Sequence, residues 1–182
     1  MPKFTHAHVF AISAVVLTAA CAHLRGSSKP ERPSDANLAA ILLAANNTDV
    51  SYAQLVPSRA QSQSVKDFAQ MMLTDHTLVN KRANDLFAAI NLTPEENVMS
   101  LDLRDESAAK RDTLRELEGR AFDSTYMANE VSYHTKLLAA IDSVLLPNAR
   151  NPRLRQLIGA IRPAVASHLS RAQQVRATLA AR

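Results

Sequence analysis

The chain has 182 residues, 47% of them hydrophobic and 21% charged, which excludes wholesale disorder and favours one domain. Three glycines, no tryptophan and 4% aromatics argue against a many-turned β-sandwich, while abundant Ala, Leu and Arg favour helices. The net charge of +4, from 21 Lys+Arg against 17 Asp+Glu, is spread along the chain and points away from a nucleic-acid partner.

Residues 1–20 are expected to be a signal peptide. Lys3 supplies a positive start, and the apolar run at 9–20 is too short to span a bilayer comfortably. Leu17-Thr18-Ala19-Ala20-Cys21 resembles a bacterial lipobox, in which the cysteine takes the lipid and becomes the mature N-terminus. Thr18 stands where that motif more often has a branched aliphatic residue. Ordinary cleavage after Ala20 or Ala22 is the competing reading. A lone cysteine in an exported chain needs a reason, and lipidation of Cys21 supplies one. It also excludes an internal disulfide, so the fold must rest on its own core. Residues 21–34, rich in Gly, Ser, Pro and charge, are expected to be a tether, and 35–182 the folded domain. Ala22 after the cysteine resembles an outer-membrane sorting signal. The expected location is the outer membrane of a two-membrane bacterium, facing the periplasm, with the membrane as partner through the lipid.

Four long helices follow. Ser34 or Asp35 caps the first, whose apolar seam Leu38, Leu42, Ala45, Asp49, Tyr52 and Val56 steps by fours and threes. Pro57 should stop or kink it. The second starts near residues 62–64 and ends near Asn91, with Val65, Ala69, Met72, His76, Val79, Ala83, Leu86 and Ile90 along one face. Thr93-Pro94 signals a fresh start. A polar helical piece then runs to about Glu118, anchored by Leu101, Leu103, Leu114 and Leu117. Gly119 breaks it. The third long helix covers about 120–146, closed by Pro147. Asn151-Pro152 opens the fourth, which Pro163 should bend. The pattern predicts an all-α antiparallel four-helix bundle with an extra short polar helix between helices 2 and 3. No internal repeat is visible.

Each seam holds one residue that does not belong among apolar side chains: Asp49, His76, His134 and His168. In an up-down bundle, residues equally far from a shared turn lie at one level. Asp49 and His76 match across the first turn, and His76 and His134 across the second joint. His168 is off by about four residues, ~6 Å at ~1.5 Å per residue. One carboxylate and three imidazoles in one layer make a site for Zn, Mn, Fe or Cu. Glu130, one turn before His134, can add a second carboxylate. Asp75, Tyr52, Tyr126 and Asp123 are candidates to hydrogen-bond the metal-bound imidazoles. The alternative is a metal-free buried network, which fixes helix register or senses pH. The two Glu-x-x-His motifs of di-iron carboxylate bundles are absent, as are a phosphate loop, a nucleophile elbow and a Cys/His zinc spacing.

Val65-Lys66-Asp67-Phe68-Ala69-Gln70-Met71-Met72 with Asp75-His76-Thr77 resembles the hallmark of the family called domain of unknown function 4142. Phe122-Asp123-x-x-Tyr126-Met127 with His134 is similar to its third-helix motif, and Pro163 with His168-Leu169 and Ala172 to its C-terminal one. The resemblance covers residues 35–182 in order. It implies a ferritin-like helical bundle in exported bacterial proteins, often labelled outer-membrane proteins, and no established activity. The family usually has Glu followed four residues on by Gly in the first helix; here the positions are Asp49 and Ala53. Pro57 also departs from it.

Two functional classes follow. One is a lipid-anchored envelope bundle that holds a metal through its Asp/His layer. The other is a structural or interaction protein whose layer serves packing and whose polar helix at 104–118 meets an envelope partner. No catalytic residue is assigned, because hydrolytic or redox catalysis needs an open position or a cleft that sequence does not display.

Overall fold

The computed structural model describes residues 32–181. The expected signal peptide, Cys21 and most of the expected tether lie outside the described residues. Those described are all-helical. Five helices are long: α1 (Asp35–Ala53), α3 (Gln63–Ala89), α4 (Val98–Arg115), α5 (Gly119–Ala140) and α7 (Pro152–Ala180). Two are short: α2 (Val56–Arg59) and α6 (Leu146–Asn148). None is long and apolar enough to cross a membrane.

The ends are set by local chemistry. Ser34 caps α1, accepting from the Asn37 N–H, while the Asn37 side chain accepts from the Ser34 N–H. Asn151 caps α7, with Pro152 at its first turn. Pro57 sits in the first turn of α2, just beyond the end of α1. Pro147 does not close the third helix as expected. It lies in the first turn of α6, and a π-helical turn, Ile141–Leu145, links α5 to α6. A proline ring crowds the carbonyl four residues earlier in a regular α-helix, and the widened turn comes just before it. Pro163 leaves α7 unbroken.

The polar piece is a full helix of 18 residues that starts later than Thr93-Pro94 suggested. The linker before it is pinned to the start of α1. The Glu95 N–H donates to Ala36 O, the Asn37 amide to Glu95 O, and the Asn97 amide to Asn37 O. That holds the chain extended until Asn97 caps α4 in a reciprocal pair with Ser100. Ser100, Ser107 and Leu114 turn inward, two helical turns apart. Leu101, expected as an anchor, is 47% exposed.

α4 decides the topology. It runs beside α1 in the same direction, from the Asn97–Asn37 contact to the far end, where Arg59 donates to Leu117 O. The chain therefore re-enters the bundle at the end where α3 began. Asp123 in α5 accepts from the Gln61 and Ser62 N–H groups ahead of α3. At the opposite end Asp35 accepts from Arg150 and Asn151 ahead of α7. Hence α3 and α5 run one way, and α1 and α7 the other. The strict up-down alternation assumed from sequence fails at the joint that α4 spans. Covering by α4 also explains why α1 is buried on more than its seam, with Ala39, Ala40, Ile41, Ala44 and Thr48 enclosed as well.

Two apolar clusters fill the bundle. One gathers Tyr52, Val65, Phe68, Met72, Phe122 and Met127 with Ala172 and Val175; the other gathers Leu38, Leu42, Phe87, Ile141, Leu145, Leu154 and Ile158. On α1, α3, α5 and α7 alike, the polar seam residue falls between them. Phe122 is fully buried and stacks on Tyr126 at 5.7 Å. Phe122→Ala should cost about 3–5 kcal/mol in chemical denaturation, and Leu101→Ala less than about 0.5 kcal/mol.

Candidate metal centre

The structure brings Asp49, His76, Glu130, His134 and His168 into one layer, all of them buried. The imidazole centroids are 5.9 Å apart for His76–His134, 5.2 Å for His76–His168 and 5.4 Å for His134–His168. His76 lies midway between Gln63 and Ala89. It therefore stands level with His134 whichever way α5 runs.

Each ring has one nitrogen tied outward. His76 Nδ1 is 2.8 Å from Asn46 Oδ1. The Asn46 amide nitrogen donates to Leu42 O at 2.7 Å, so its oxygen is the acceptor and Nδ1 of His76 carries the proton. His134 Nδ1 is 3.0 Å from the Glu130 carbonyl, which can only accept. His168 Nε2 is 2.9 Å from Asp75 Oδ2. The three remaining nitrogens, His76 Nε2, His134 Nε2 and His168 Nδ1, are buried without a hydrogen-bond partner. So are both oxygens of Asp49 and both of Glu130.

Asp49 converges with two of these rings, while Glu130 Oε2 lies 3.5 Å from His134 Nδ1, the nitrogen that also meets the Glu130 carbonyl. Asp49 Oδ2 is 3.0 Å from His76 Nε2 and 3.2 Å from His134 Nε2, yet neither contact has hydrogen-bond angles. Ligands at ~2.0–2.2 Å from one ion sit roughly 3.0–3.6 Å apart, so the spacing matches edges of a coordination polyhedron. Donor atoms of His76, His134 and His168 lie within 4.8 Å of one another, as do those of Asp49, Glu130 and His134. Three imidazoles and one or two carboxylates suit a borderline transition metal.

The electrostatics divide the two carboxyls. Burial opposes ionisation of Asp49, but attraction to His76 and His134, whose rings its Oδ2 approaches at 3.0 and 3.2 Å, holds it well below the usual carboxylate range. Burial pushes Glu130 well up, and the Asp49 charge pushes it further. Burial also lowers His168, with the Asp75 hydrogen bond working the other way.

The four candidates for hydrogen bonding separate. Asp75 touches His168. Asp123 does not reach the layer; it holds the chain ahead of α3. Tyr126 packs among Phe68 and Phe122 with its hydroxyl buried and unpartnered. Tyr52 packs edge-on against Tyr133 at 6.2 Å. Two residues were missed. Asn46 orients His76; its signal was an amide one turn before Asp49 in an Ala/Leu-rich run. Tyr133 packs edge-on against His134 at 5.6 Å and donates to Ala45 O at 2.6 Å. Nothing in its local sequence marked it.

A family model described as Domain of unknown function (DUF4142) matches residues 21–175, which include the whole layer. No curated protein and no solved structure matches the chain. The match over most of the chain, together with the three motifs around His76, His134 and His168, makes this protein a member of the DUF4142 family.

Proposed function

We propose that this is a lipid-anchored envelope protein that holds a divalent transition metal (Zn, Mn, Fe or Cu) in the centre of a ferritin-like four-helix bundle. His76 Nε2, His134 Nε2 and Asp49 Oδ2 are its ligands, with His168 Nδ1 completing the set and Glu130 auxiliary. One observation carries the reading: three imidazoles each fixed outward by an acceptor, with the other nitrogen facing the layer unpartnered. Outer acceptors of this kind fix the tautomer and orientation of metal-bound histidines. The ferritin-like assignment rests on the α1/α3 and α5/α7 antiparallel pairs joined by one long crossover through α4. The lipid anchor rests on the lipobox-like run ending at Cys21.

The second reading has its own observation. The 3.0 and 3.2 Å approaches of Asp49 to two histidines are also ion-pair distances. On that reading the layer is a metal-free network in a structural protein, and the polar face of α4 meets an envelope partner.

Elemental analysis of the full chain, purified without chelator and reloaded, separates them. About one metal per chain is expected, lost in His76→Ala and His134→Ala while helicity persists. Asp75→Asn should weaken affinity by roughly 10–100-fold. No metal under any loading condition, with stability lost in both alanine variants, would establish the network instead.

Glu130 gives a test that changes sign. Its folded pKa is raised above 4.5, so the metal-free protein loses stability as pH rises from 4.5 through the folded value. Without metal, Glu130→Gln should raise the melting temperature at pH 8 and leave it unchanged at pH 4. With metal bound at pH 8, the same substitution should lower it. A shift of one sign under both conditions would remove Glu130 from the ligand set.

The anchor is tested in cells with labelled fatty acid. Label should appear in the mature chain and vanish in Cys21→Ser, which should leave the membrane fraction.

A further inference from the structure

Charge is unevenly shared among the helices. After Asp142 the sequence has seven arginines and no acidic residue. Five of them, Arg153, Arg155, Arg162, Arg171 and Arg176, stand on α7, and all five are exposed. Arg150, just ahead of α7, is exposed as well. Residues 95–118, which make up α4 and its flanks, hold eight carboxylates against four basic side chains. α7 packs on α5 and α3, whereas α4 packs along α1. The cationic and the acid-rich helices therefore lie apart.

The arginines of α7 are largely unmatched. Among the described residues only Arg162 meets a carboxylate, in a two-point pair with Asp142. Arg155 donates to the Ala149 carbonyl, which leaves its charge uncompensated. At ~100° per residue, Arg155, Arg162 and Arg176 follow one flank of the helix, and Arg153 and Arg171 the other. Between the two rows runs an uncharged, exposed stripe that includes Gly159, Pro163, Ser167 and Ser170. No large apolar side chain of α7 is exposed. The face can lie against a charged surface and has nothing to insert into it.

Guanidinium groups take phosphate oxygens two at a time, and the small side chains between the rows let both rows reach one plane. The place where the described domain begins brings such a plane near. Asp35 accepts from the Arg150 and Asn151 N–H groups, so α1 starts beside the start of α7. Cys21 lies fourteen residues earlier, a reach of at most roughly 46–50 Å. That is close to the length of α7 itself, ~43 Å at ~1.5 Å per residue. We infer that α7 is the docking face for an anionic lipid surface, held at the headgroups by its two arginine rows and without insertion. The nearness of a membrane rests on the lipid anchor proposed above for Cys21; the fit of the face to an anionic surface does not need it.

The test uses the full chain carrying Cys21→Ser, so that no lipid is attached and one reporter cysteine can be placed elsewhere. A polarity-sensitive fluorophore at Ser170→Cys on α7 should respond to vesicles of phosphatidylcholine and phosphatidylglycerol in equal parts, and not to phosphatidylcholine alone. At Ala109→Cys on α4 it should respond to neither. Salt at about 1 M, where the screening length falls to ~3 Å, should reverse the response. Arg153→Gln, Arg171→Gln and Arg176→Gln together should weaken binding by about 10–100-fold. Equal response to neutral vesicles, a response at Ala109→Cys, or unchanged affinity in the triple variant would overturn the docking face. Because Cys21 is replaced throughout, each of these failures is distinct from a missing fatty-acid label, which would remove the anchor alone. Self-association without vesicles, abolished by the same three substitutions while vesicles stay unbound, would overturn the lipid surface in favour of the acid-rich side of a second copy.

Discussion

A carboxylate at the centre of an apolar bundle constrains everything around it. Asp49 is fully buried, and an unpaired charge there would cost several kcal/mol. The chain answers with three imidazoles, supplied by three other helices and each held from behind. Asn46 must turn its oxygen to His76, so its nitrogen goes to Leu42 O. His134 uses a carbonyl of its own helix one turn back, and His168 reaches Asp75. Apolar clusters above and below keep water out, which makes every charge in the layer matter more.

The outer partners are not equivalent. His76 and His134 are held by neutral oxygens in the buried part of the molecule. His168 is held by a carboxylate whose side chain is 44% exposed. The layer is thus sealed on two sides and communicates with solvent on the third.

Much of this was legible in the sequence. Periodicity marked the helices, and Ser34, Asn151 and Gly119 marked ends, because capping and positive φ are local properties that local sequence encodes. The layer was legible because polar residues on apolar seams are rare enough to count. What local sequence could not encode was pairing. The late start of α4 comes from contacts between residues 95–97 and α1, far away in the chain. The shared direction of α3 and α5 follows from α4 lying along α1, which its polar composition disguised as a mere surface piece. Asp123 looked like a partner for histidine and serves instead to join two helix ends. Tyr133 entered through the register between α5 and α1, which no spacing rule predicts.

The two aspartate clamps at opposite ends of the bundle have one more consequence. Asp35 near the start of α1 holds two successive N–H groups ahead of α7, and Asp123 near the start of α5 holds two ahead of α3. Exchange α1 with α5 and α3 with α7, and one clamp becomes the other. The two clamps are thus reciprocal: each ties the start of one hairpin's first helix to the chain ahead of the other hairpin's second helix, although no repeat shows in the residues. Each hairpin alone holds half a centre: Asp49 with His76, or Glu130 and His134 with His168. Two hairpins brought face to face are the smallest assembly able to enclose the whole constellation, and α4 is the strap that makes one chain of them.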